Sequence, residues 1–434
     1  MIVFALLAFY LAFNLGANDV ANAMGTSVGS KAVTLKQALI IAGVLEFTGA
    51  VLFGHQVSET LATEIANPSL FVDTPQMLAI GMVTVLVSCG LWLQIATSRG
   101  LPVSSSHATV GAIAGFSWVA FGISAIDWPS IGLITLGWIV TPVISGTIAA
   151  LFYSQIKHWI LEQPHQLKQL NEWIPWLSAM LLGIFGVIVL PSVTQPIANF
   201  LIEEVGIKIP AHDIPLFVGG FAAVGLSLYS WRQLDKSRGS ALCLPQIEIK
   251  EEKRSNKLPT TNNPIEHLFG KFQLLSACFV AFAHGSNDVG NAIAPLAAIA
   301  YINTTGSVPI SGITIPIWIL ILGGVGIVTG LAIWGKKVIA TIGESIIPLQ
   351  PSSGFCAELA TATTILLASR LGLPVSTSHA LVGGVVGIGL VQNPQSVQLK
   401  TLQGIAAAWL VTVPVSAGLS AAIFSIARIL DLRF

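Results

Sequence analysis

The sequence predicts an all-α polytopic membrane protein, with about twelve transmembrane or re-entrant helices in two inverted-topology repeats. Three observations predict it. Of 434 residues, 53% are hydrophobic and only 9% charged, against about 25% charged in a typical soluble domain. Apolar runs approaching the ~20 residues needed to cross a bilayer recur along the whole chain. Motifs near the start also return, in the same order, near the end.

Hydropathy places the segments near 2–16, 38–57, 77–97, 106–123, 131–153, 175–192, 214–231, 272–300, 313–335, 354–369, 379–391 and 402–427. The first lacks the basic n-region of a signal peptide and is read as a helix of the mature chain. Several others are short or contain Gly and Pro, which suits re-entrant turns. The stretch 232–271 is polar, charged and rich in Pro, Asn and Ser, and reads as a flexible linker. The expected organisation is therefore a first repeat over 1–153, connecting helices over 154–231, the linker, and a second repeat over 272–434.

Charge asymmetry orients this layout. With the N-terminus outside, sixteen basic residues fall on the inner side, among them Lys31, Lys36, Arg99, Lys157, Lys168, Lys336, Lys337 and Lys400. Only Lys208, Arg370, Arg428 and Arg433 fall outside. Eight of the sixteen lie in the linker, where charge orients weakly, and the remaining ratio is still eight to four. The linker is then cytoplasmic, and the expected host is the cell membrane, plasma or inner. The net charge is zero, which points to no nucleic acid or other polyanionic partner. Cys89, Cys243, Cys278 and Cys356 show no metal-ligand spacing and read as small apolar residues.

The repeat carries the chemistry. Gly16-Ala17-Asn18-Asp19-Val20-Ala21-Asn22-Ala23 matches Gly285-Ser286-Asn287-Asp288-Val289-Gly290-Asn291-Ala292. Leu101-Pro102-Val103-Ser104-Ser105-Ser106-His107-Ala108 matches Leu373-Pro374-Val375-Ser376-Thr377-Ser378-His379-Ala380. Between them, Thr48-Gly49 aligns with Thr329-Gly330, and Trp138 and Thr141 with Trp409 and Thr412. Seven segments precede the second copy, an odd number, so it enters from the opposite side. In secondary transporters built this way, the site lies near the midplane where the halves meet.

An aspartate in an apolar segment is expensive unless partnered, and neither Asp19 nor Asp288 has a Lys or Arg in its span. Asn18 and Asn22, four apart, share a helix face. Gly16 and Gly285 are read as points where the helix bends or breaks, exposing carbonyls to a cation and N–H groups to an anion. Ser104, Ser105 and Ser106, with Ser376, Thr377 and Ser378, follow a proline and favour helix N-caps. Free N–H groups and the dipole at such an N-terminus bind phosphate. The blander alternatives are helix–helix glue for the Asn-Asp motifs and plain capping for the Ser-rich turns.

No span carries a central arginine; Arg99 and Arg370 sit at segment ends, where snorkelling is expected. Anion charge would then be balanced by cations held at Asp19 and Asp288, either Na⁺ or, since a buried carboxylate can carry it, H⁺. Glu46 and Glu358 are further candidates for cation coupling or gating, with a structural hydrogen bond as the blander alternative, and their repeat mates are Ile327 and Leu86. His107 and His379 are expected to hold the turns rather than relay protons. His284 pairs with Leu15 and is the weakest of the polar candidates. No P-loop is present, since no Gly-Lys-Ser/Thr follows a Gly-rich stretch.

With all four motifs in order, the chain resembles the inorganic phosphate transporter (PiT) family over nearly its whole length. The resemblance implies phosphate symport with Na⁺ or H⁺, twelve helices, and substrate and ions between the repeats. It puts cation and substrate ligands at Asp19, Asn22, Asp288 and Asn291, and the anion at the Ser-rich turns; Asn18 and Asn287 are read from the motifs as further cation-coupling residues. No cofactor is implied. The partners expected are phosphate, a coupling cation and lipid, with a second copy of the chain left open. Some relatives carry sulfate, a second reading. A cation channel selective through the two aspartates, or a membrane enzyme acting on phosphate esters, are readings from other classes; no nucleophile–base pair outside the motifs supports the enzyme.

Overall fold

The computed structural model describes residues 1–101, 103–191, 194, 213–242, 263–310, 312–342 and 347–430. Pro102, Lys208, Cys243, Arg433 and the middle of the linker, 243–262, lie outside the described residues. Among the described residues thirteen α-helices follow in order: α1 Ile2–Gly29, α2 Leu35–Phe53, α3 His55–Thr63, α4 Pro75–Ser98, α5 Ser105–Phe121, α6 Trp128–Ile156 and α7 Gln166–Ile188. Then come α8 Asp213–Leu242, α9 Pro264–Thr305, α10 Ile317–Ile342, α11 Pro351–Arg370, α12 Thr377–Gln392 and α13 Leu399–Ile429. Among the described residues the one β contact is an isolated antiparallel bridge, Ala66 with Ile126.

Each of the twelve predicted segments has a helical counterpart. Among the described residues, nine helices are long and apolar enough to cross a membrane. The segments at 106–123, 354–369 and 379–391 correspond to α5, α11 and α12, which are too short or too polar to be counted with them. All three flank the Ser-rich turns. The short α3 was not predicted.

Two expectations are corrected. The helix does not break at Gly16 or Gly285: α1 and α9 run through both without interruption. A Cβ at Gly16 would overlap the Ile327 carbonyl oxygen, and one at Gly285 the Glu46 carbonyl oxygen. These glycines bring backbones together instead of bending them. The linker is also shorter than 232–271, because α8 extends to Leu242 and α9 starts at Pro264. Asn263 caps α9, its side chain accepting from the Ile265 N–H, with Pro264 in the first turn.

Local signals set the remaining ends. Thr34 opens α2 with a capping box to Gln37, and Asp127 caps α6 through the Ser130 N–H. The turns from α4 to α5 and from α11 to α12 each need a residue at positive φ, met by Gly100 and Gly372, both at 67°.

The packing crosses between the motif copies. α1 lies against α10 and α4, and α9 lies against α2 and α11. α5 packs on α13, and α12 on α6, so each copy's turn helix rests on the other copy's long helix. Polar side chains are buried in the centre while large apolar ones, such as Phe221, Trp176 and Leu410, face outwards. This inverts the usual distribution of a water-soluble protein.

Candidate substrate and ion site

Ser104 and Ser376 are the N-caps of α5 and α12, and their hydroxyls accept from the His107 and His379 N–H groups. The next two residues, Ser105 with Ser106 and Thr377 with Ser378, lie in the first turn of each helix, where backbone N–H groups lack helical partners. The turn backbone is fixed by the motif asparagines. Asn18 Nδ2 donates to Thr97 Oγ1 at 2.9 Å and the Leu101 carbonyl at 3.3 Å. Asn287 Nδ2 donates to Ser369 Oγ at 3.1 Å and the Leu373 carbonyl at 3.2 Å.

One turn along each helix, the contacts cross over. Asn22 Nδ2 donates to Ser378 Oγ at 2.9 Å, with Thr377 Oγ1 at 3.5 Å. Asn291 Nδ2 reaches Ser106 Oγ at 3.3 Å and Ser105 Oγ at 3.5 Å. The two aspartates meet at this crossing. Side-chain atoms of Asp19, His284 and Asp288 lie within 4.8 Å of one another, and all three residues are buried. Asn22 Nδ2 donates to Asp19 Oδ1 at 3.3 Å, and Thr377 Oγ1 donates to Asp288 Oδ2 at 3.0 Å.

The centre is rich in oxygen acceptors and poor in donors. Among the described residues, Asn18 Oδ1, Asp19 Oδ2, Asn287 Oδ1, Asp288 Oδ1 and Asn291 Oδ1 are buried without a protein donor. Buried polar atoms are normally satisfied, and carboxylate and carbonyl oxygens are the ligands of hard cations. The hydroxyls and amide N–H groups beside them suit an oxyanion.

Of the sequence-predicted residues, Asn18, Asp19, Asn22, Ser104, Ser105, Ser106, Asn287, Asp288, Asn291, Ser376, Thr377 and Ser378 are gathered around this centre. Glu46 joins it through His284: His284 Nε2 is 2.8 Å from Asp288 Oδ2, and Nδ1 is 3.2 Å from Glu46 Oε1. Glu358 stands apart, bonded to Thr26, Ser27, Gln273 and Ser276. Arg99 is exposed. Arg370 donates to the Ile188 carbonyl, which closes α7, and lies 5.0 Å from the Phe53 ring. Neither arginine touches the centre. His284 is the residue sequence reasoning undervalued. Its spacing of four from Asp288 on one helix was a usable signal; the absence of a histidine in the other copy hid it.

The sequence profile of the phosphate transporter family matches residues 15–420. The chain belongs to that family. A chloroplastic inorganic phosphate transporter of Arabidopsis thaliana is 38% identical over 429 residues, covering 96% of this chain and 70% of its own. A Haemophilus influenzae protein named as a phosphate permease is 37% identical over 98% of this chain and 96% of its own. A solved structure described as the sodium-dependent phosphate transporter superposes with a TM-score of 0.80 at 34% identity, covering 99% of both chains. As a phosphate transporter family member with nine apolar helices among its described residues, the protein is a multi-pass integral membrane protein and not an enzyme.

Proposed function

We propose that this chain is a secondary active transporter that moves inorganic phosphate together with a cation. Access alternates between two inverted-topology halves, 1–153 and 272–434, joined by the helices of 154–231 and the linker. The N-terminus faces outside, the linker faces the cytoplasm, and the host is the cell membrane. The observation that carries this reading is the meeting of Asp19 and Asp288 at one buried centre beside both hydroxyl-lined turns.

In this reading Asp19 and Asp288, with the Asn18 and Asn287 side-chain oxygens, hold the coupling cation, and Glu46 tunes their charge through His284. Ser104, Ser105 and Ser106, with Ser376, Thr377 and Ser378, hold the anion at two helix N-termini, with Asn22 and Asn291 between them. Each charge makes the other's burial tolerable. That reciprocity is the physical basis of coupling. The sodium dependence of the solved relative supports Na⁺ over H⁺.

Uptake of radiolabelled phosphate into proteoliposomes tests this, with Na⁺ and pH gradients imposed separately. The expected result is saturable, concentrative uptake driven by the Na⁺ gradient and resistant to excess sulfate. Large, non-saturating currents without phosphate would instead identify a channel.

A further inference from the structure

His107 and His379 sit in the first turns of α5 and α12, buried, with imidazole rings in contact. Their centroids are 4.8 Å apart and their planes are 77° from parallel. Each ring lies on the tryptophan of its own copy: His107 on Trp138 at 3.9 Å, and His379 on Trp409 at 3.7 Å. Each Nδ1, however, reaches the main chain of the other copy. His107 Nδ1 is 3.3 Å from the Trp409 carbonyl, and His379 Nδ1 is 2.9 Å from the Trp138 carbonyl. A carbonyl oxygen only accepts, so Nδ1 carries the proton in both rings.

The two contacts are not equal, and the sequence says why. The residue four beyond Trp138 is Pro142, inside α6, which has no N–H to offer the Trp138 carbonyl. That oxygen is free of its helical bond and takes the His379 N–H instead. In α13 the chain reads Trp409-Leu410-Val411-Thr412-Val413-Pro414, one residue longer, so the residue four beyond Trp409 is Val413 and keeps its N–H. The shorter contact falls on the freed carbonyl. Trp138 also donates its indole N–H to the Pro374 carbonyl at 3.1 Å, within the second Ser-rich turn. From the other side, Ser106 Oγ donates to the Val375 carbonyl at 2.9 Å.

We propose that His107 and His379 are positioning residues that strap each Ser-rich turn to the long helix of the opposite copy, the His379–Trp138 strap being the tighter. The anion-holding hydroxyls of one copy then move only when α6 or α13 of the other moves. This rests on the reading that the turns hold phosphate.

The test is phosphate uptake by the reconstituted full chain. Asparagine places an amide donor where histidine has Nδ1; glutamine places it where histidine has Nε2. For His379→Gln the phosphate KM rises about fivefold to tenfold, the range for a lost hydrogen bond, while the Na⁺ half-saturation stays put. His379→Asn stays within about twofold, and His107→Gln rises about twofold to threefold, less than His379→Gln. Ser378→Ala is the control for the turn itself. A wild-type KM in His379→Gln with a raised KM in Ser378→Ala overturns the strap and leaves the phosphate reading standing. A wild-type KM in both overturns the phosphate reading as well. Equal defects in the Asn and Gln variants point to proton relay or general instability and also overturn the strap. Should His379→Gln fail to fold, His379→Ala removes the Nδ1 donor that His379→Asn restores, and its KM is expected to rise about fivefold; a KM for His379→Ala equal to that of His379→Asn overturns the strap.

Discussion

Two buried glutamates in this protein are stabilised by opposite means. Among the described residues Glu46, on α2, has no hydroxyl or amide donor on either oxygen, and its near partner is His284 at 3.2 Å. That imidazole also touches Asp288, so the charge of Glu46 is tied to the centre where both aspartates meet. Glu358, on α11, accepts from four neutral side chains. Thr26 and Ser27 reach Oε1 at 2.6 Å each, Gln273 reaches it at 3.1 Å, and Ser276 reaches Oε2 at 2.8 Å. It needs nothing from the central site, and binds α1, α9 and α11 together. Distance separates them too. Along α9, His284 is one turn from Asp288, whereas Ser276 is twelve residues away, about 18 Å at the helical rise. The repeat positions matching the Glu358 nest are Leu86, Phe4, Leu7, Pro295 and Leu296, all apolar. The polar knot of one repeat therefore stands where the other repeat carries hydrocarbon.

The comparison breaks first at the aspartates. Asp19→Ala is expected to lower cation-dependent phosphate uptake about a hundredfold or more, the scale on which truncating a buried, partnered charge acts. Proteoliposome uptake with and without a Na⁺ gradient measures it, and intact uptake would remove Asp19 from the site. The next largest effect is expected at His284→Gln, which leaves Glu46 and Asp288 without a shared partner and should weaken Na⁺ dependence about tenfold. Combined with Glu46→Gln, the loss should be smaller than the product of the two single losses, because both act through one contact. A fully multiplicative result would mean that Glu46 and the aspartates are independent.

The residues that were legible from sequence are those whose chemistry is local and duplicated. The Asn-Asp and Ser-rich motifs declare buried charge and helix caps without help from the rest of the chain, and the structure gathers them. What was not legible depends on contacts between distant elements. His284 meets Glu46 because α9 crosses α2, and nothing near either residue announces that crossing. Gly16 and Gly285 were open to two physical uses, a bend or a close approach, and only a neighbouring helix decides between them. The start of α9 carried a readable Asn263-Pro264 cap, but His267 and Lys271 lowered the hydropathy there and masked it.

The smallest predicted effect tests whether the Glu358 nest is structural. Ser276 has one hydroxyl hydrogen and two acceptors nearby, the Gln273 carbonyl at 2.9 Å and Glu358 Oε2 at 2.8 Å. Ser276→Ala removes the only side-chain donor to Oε2 among the described residues and leaves the three donors at Oε1. The stability change should be about 0.6 kcal/mol, the average for a hydrogen bond between membrane helices. It would be read as a small drop in the thermal unfolding midpoint in detergent, with the Na⁺ and phosphate half-saturations unchanged. Because Ser276 lies three turns from Asp288, a shift in Na⁺ half-saturation would mean that the nest and the ion centre are electrically joined. Glu46 and Glu358 would then be two ends of one network, and the contrast between them would fail.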